Sequence, residues 1–193
     1  MFAAPAVSQA QSAVGNGGAT YADITGTSKW FDVMPRFVDA AQDALLADAN
    51  LLAAVGMPQQ AAAVVSRSKE LTAGATPGTV EEIMAQHRAA VVALLPKLAA
   101  TGVVLGDDSK VLFSRGIDGL ARAVKQVDSM SSDLPGLKKM MRDAGEKART
   151  GYAVSKALSL YRTEMKQELQ AAIAFAKANS LPFPPEAELR TGE

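Results

Sequence analysis

The sequence predicts an all-α fold, a mostly antiparallel bundle of four to six helices. It is flanked by a flexible N-terminal arm at 1–27 and an extended Pro-rich tail at 180–193, so that the bundle proper occupies 28–179. Three observations carry the prediction. The stretch from Tyr152 to Ala178 contains no proline or glycine, and Val154, Leu158, Tyr161, Met165, Leu169, Ala172 and Ala176 recur in it at steps of three and four. That period puts them on one face of an α-helix. Several other stretches repeat the pattern, and no stretch alternates with period two, as a half-buried strand would. Ala and Leu fill most apolar positions, aromatics make up only 5% of the chain, and both features favour closely packed helices.

The elements follow in chain order. The first twenty residues carry no charge, and Gln11 to Thr27 is rich in Gly, Ser, Ala and Thr, the composition of a flexible arm. Trp30, Met34, Phe37, Ala41, Leu45, Asp48, Leu52 and Val55 then share one helical face, broken only by Asp48. Pro35 fits a first turn, so Asp32 is the expected N-cap, and Gly56 the expected stop. Pro58 opens a second helix through about Ala73. Thr79 and Glu82 have capping-box spacing for a third, whose face is Val80, Ile83, Met84, His87, Val91, Leu94 and Leu98. Pro96 should kink or end that helix near Leu95. Val103 to Leu105 reads as a short buried plug. Ser109 is positioned to cap a fourth helix with Phe113, Ile117, Leu120, Val124 and Val127 inward. Leu137, Met141, Ala144 and Ala148 give a further face, either a separate helix or the front of the Tyr152–Ala178 spine. Asn179 and the prolines at 182, 184 and 185 end the spine, and the tail should be extended.

Composition narrows function mainly by exclusion. The 193 residues carry a formal net charge of zero and no cysteine. Thiolate catalysis, disulfides and Cys-bound metals are therefore excluded, and no global field argues for nucleic acid. No run of about 18 apolar residues is present to form a transmembrane span. Charge is uneven, however: Lys110–Ala178 holds 13 Lys/Arg against 7 Asp/Glu, whereas Met1–Ser109 holds 6 against 10. Phe2–Ala10, ending Ser8-Gln9-Ala10, is similar to the end of a bacterial Sec or twin-arginine signal or of a thylakoid-lumen transit peptide. It implies a periplasm or other exported compartment, with a cytosolic leader as the alternative.

No catalytic constellation emerges. A hydrolase elbow, a Walker lysine, a dinucleotide fingerprint and paired Glu-x-x-His motifs are all missing. Asp107 and Asp108 read as helix N-terminal charge and not as a calcium loop. The expectation is a non-catalytic interaction or assembly protein with no cofactor and no metal ligands, docking to a protein partner. Trp30, Phe31, Lys138, Lys139, Arg142, Arg162, Lys166 and Phe183 are its candidate contacts, with Ser155, Gln170 and Lys177 completing the outer face of the spine. The alternative is a carrier that holds an apolar molecule or non-covalent cofactor between helices, around Met34, Met84 and the single histidine, His87. A carrier predicts a closed apolar cavity near those side chains, and a scaffold predicts a filled core with a flat exposed apolar patch.

Overall fold

A computed structural model describes the backbone of residues 21–71, 77–100, 103–132 and 145–192, and their side chains except those of 21–34, 77, 79 and 145–154. Among these residues there are six helices and no strand: α1 (Tyr21–Ala54), α2 (Pro58–Glu70), α3 (Pro77–Leu98), α4 (Asp107–Ser131), α5 (Gly145–Ala178) and α6 (Pro185–Thr191). None is long and apolar enough to cross a membrane. The helical stripes read from the sequence form one core. Phe37, Ala41 and Leu45 of α1, Ile83 and Leu94 of α3, Phe113, Ile117, Leu120, Val124 and Val127 of α4, and Leu158, Tyr161, Met165 and Leu169 of α5 are all buried.

Helix α1 packs most extensively on α4. The pair is antiparallel, because Arg36 bonds Ser129 near one end and Leu51 meets Gly116 near the other. Helices α4 and α5 are antiparallel as well, joined by Arg162 with Asp128 and by the Phe113–Phe175 ring pair with centroids 5.0 Å apart. At the end of α1, Gly56 adopts φ 82°, and the Met57 amide donates to the Leu52 carbonyl at 2.8 Å. This is the left-handed cap for which Gly56 was singled out.

Several helix ends depart from the sequence expectations. Helix α1 begins at Tyr21, so 21–27 is helical and not arm, and Asp32 is not a cap. Pro35 lies inside α1 on its exposed side, where the carbonyl one turn earlier can bond water in place of the missing amide. Pro96 likewise lies inside α3, which runs on to Leu98, and Val92, four residues earlier, is exposed. Helix α3 starts at Pro77 and α4 at Asp107 behind Gly106, so neither Thr79 nor Ser109 is the N-cap. Asp107 and Asp108 do occupy the first turn of α4, where the helix dipole favours them. In the connection before α4, Leu105 is buried but Val104 is almost fully exposed, because an extended segment turns successive side chains to opposite sides. The tail is extended only at 181–184 and then forms α6, whose Ala187 is buried. The Leu137–Met141 face lies outside the described residues.

Candidate metal centre

The site begins as three breaks in three apolar stripes. Asp48 lies on α1 between Leu45 and Leu52, and His87 on α3 between Met84 and Val91. Glu168 lies on α5, three residues after Met165 and four before Ala172. Helical periodicity aims each at the core with its apolar neighbours, and the packing of α1, α3 and α5 brings them together. All three are fully buried. Each offers one ligating atom, and these atoms lie within 4.8 Å of one another.

The Nδ1 of His87 is 2.8 Å from Oδ2 of Asp48. When Nδ1–H donates to Asp48, the other ring nitrogen carries a lone pair, and that Nε2 is buried without a partner. With both carboxyls ionised, Oδ1 of Asp48 and both oxygens of Glu168 are likewise buried without a donor, and the hydroxyl of Tyr161 is buried without a partner. The Tyr161 ring stands edge-on to the His87 imidazole, with centroids 4.7 Å apart at 81°, and fixes the ring plane. The Asp48 and Glu168 carboxyls lie close enough to share a hydrogen bond, which one of them must be protonated to donate.

Electrostatics follow from burial. Loss of water pushes the Asp48 carboxyl well above the ordinary carboxylate range. Burial raises Glu168 as well, and the nearby Asp48 adds to the effect. Burial lowers the His87 imidazole against the opposing pull of Glu168 and Glu164. A neutral imidazole beside two carboxyls is a set of hard and borderline donors, and a buried polar group without a partner costs about 1–3 kcal/mol. A divalent cation would offset two carboxylate charges and take up the free lone pairs together. The donor set fits such an ion.

Of the residues singled out in the sequence, His87 and Met84 lie here; Met84 is buried on α3 one turn before His87. The side chains of Met34, Trp30 and Phe31 lie outside the described residues, as do Lys138, Lys139 and Arg142 entirely. Arg162 pairs with Asp128, and Lys166 lies 3.9 Å from the same carboxylate. Ser155 is buried and does not belong to the outer face of the spine. Phe183 packs partly buried against the core. A groove of about 620 Å³ runs between α3 and α5 past Met84, Arg88, Leu160 and Thr163. It is open to solvent, not the closed apolar cavity expected of a carrier, and the three ligating residues lie outside its walls.

The sequence predicts no metal ligands, and the local signal for Glu168 is an ionisable group in phase with an apolar stripe, as Asp48 and His87 are in theirs. No family model, no curated protein and no solved structure matches the chain.

Proposed function

We propose that this protein is a helical bundle that holds a divalent first-row transition-metal cation at Asp48, His87 and Glu168. One observation carries it: three fully buried side chains of metal-ligating type converge, and with both carboxyls ionised four of their lone-pair-bearing atoms face no donor. Buried polar groups are ordinarily bonded, and this density of exceptions at one point calls for an occupant.

The chemistry of the donors selects the ion class. An imidazole with carboxylates suits Mn²⁺, Fe²⁺ or Zn²⁺ better than Mg²⁺, which gives up its waters reluctantly and would have to shed them in a buried site.

The full chain, stripped with a chelator and titrated with Mn(II) or Zn(II) in equilibrium dialysis, should retain a single equivalent. His87→Ala and Glu168→Gln should each weaken retention by more than the roughly 10–100-fold typical of outer-shell changes. Wild-type protein that retains no cation, or variants that retain it equally well, would overturn the assignment.

A further inference from the structure

A further carboxylate stands one helical turn before Glu168. Residues four apart on a helix face the same way, with Cβ atoms about 5–6 Å apart, so Glu164 shares the inward stripe of Tyr161 and Glu168. Its side chain is only 15% exposed. One oxygen, Oε1, accepts the Arg88 Nε–H at 2.7 Å, and the other, Oε2, is buried with no partner. Arg88 follows His87 directly in α3, is half-exposed and lines the groove between α3 and α5. Arg88 thus joins the solvent-filled groove to Glu164, which neighbours Glu168 along α5. The Glu164 charge is also felt at both the His87 imidazole and the Tyr161 hydroxyl.

We infer that Glu164 is an exchangeable additional ligand to the cation held at Asp48, His87 and Glu168, and that Arg88 is the group that holds it off the site. The inference rests on cation binding at that cluster. When the ion arrives, the Arg88 Nε–H···Oε1 bond breaks and a Glu164 oxygen bonds the metal. Arg88, already half in water, swings toward the groove. The exchange would bring a partly exposed ligand to a centre whose three other ligands are fully buried.

Charge alone would move affinity in opposite directions for the two partners, so the absorption spectrum is the readout that separates a ligand from an ordinary ion pair. The test uses Co(II), whose visible absorption reports its ligand shell, on the full chain as wild type, Glu164→Gln and Arg88→Gln. Both positions reach solvent, and far-UV circular dichroism checks that the helices are retained. Glu164→Gln should weaken Co(II) binding about tenfold or more and change the absorption spectrum. Arg88→Gln should tighten binding and keep the wild-type spectrum. A wild-type spectrum in Glu164→Gln would overturn the ligand role while leaving the centre in place, as would weakening by Arg88→Gln. Absence of any bound Co(II) spectrum in the wild type would remove the centre itself, and the role of Glu164 with it.

Discussion

Glu168 is the residue whose placement is hardest to account for by packing alone. It is fully buried on α5, its carboxyl lies against that of Asp48 on α1, and His87 of α3 and Tyr161 of its own helix stand near it. Arg88 and Glu164 act on the same cluster from the solvent side. In the metal-free protein its folded pKa is raised above the unfolded value, so the folded state binds more protons than the unfolded state. The contribution of Glu168 to stability is then complete below the ordinary carboxylate range and is lost as pH rises through the raised value. Glutamine keeps the shape and cannot ionise. Metal-free Glu168→Gln should therefore gain on the wild type as pH rises from about 4 toward 8, with a limiting slope of about 1.4 kcal/mol per pH unit. Chemical denaturation at several pH values, with chelator present, reads this difference directly. A gap that stays constant with pH would mean that Glu168 titrates normally.

Close approach dominates at the level of helices, above all between α1 and α4. Gly116 and Gly119 are buried where α4 meets Ala47 and Leu51 of α1. A Cβ at Gly116 would sit 2.6 Å from Cγ of Leu51 and 3.2 Å from the carbonyl oxygen of Ala47, whereas one at Gly119 would meet the Ala47 methyl at 3.2 Å. Alanine gains up to about 1 kcal/mol of helix propensity over glycine, but overpacking a core costs about 1–3 kcal/mol. Gly116→Ala should therefore destabilise the fold by about 1–2 kcal/mol, with Gly119→Ala milder, as measured by urea midpoints. An equal or stabilising effect at Gly116 would show that Leu51 has room to move. The stripes were legible in the sequence because a period of 3.6 fixes which side of a helix meets the core, whatever lies opposite. Helix starts were less so: Thr79 and Ser109 look like caps, yet α3 and α4 begin two residues earlier, at Pro77 and Asp107. The metal-ligating group was not legible as a group. Asp48 and His87 each stood out in its own stripe, but their meeting with Glu168 depends on the relative heights of three helices, which no local pattern encodes.

The whole molecule closes through its C-terminal end. Helix α5 ends in a left-handed turn at Ser180 with φ 51°, and the Leu181 amide donates to the Ala176 carbonyl at 2.9 Å, so the chain folds back. Leu181 and Ala187 are buried, and Phe183 packs partly buried beside them. Polar contacts then fasten α6 along α5: Lys177 Nζ lies 2.7 Å from Glu188, Gln170 Nε2 donates to the Thr191 carbonyl at 3.2 Å, and Lys166 Nζ donates to that of Gly192 at 3.3 Å. The ion pair is exposed and adds little. The apolar contacts decide the energetics, since full burial of one Leu-sized side chain contributes about 1.5–3 kcal/mol. Phe183 thus packs on its own bundle, and a partner that captured the tail would have to displace it first. Deleting residues 181–193 should lower stability by about 2–4 kcal/mol, seen as an earlier urea midpoint with helicity at zero denaturant largely kept. A midpoint equal to that of the intact chain would mean the tail contributes nothing to the bundle and is free for a partner.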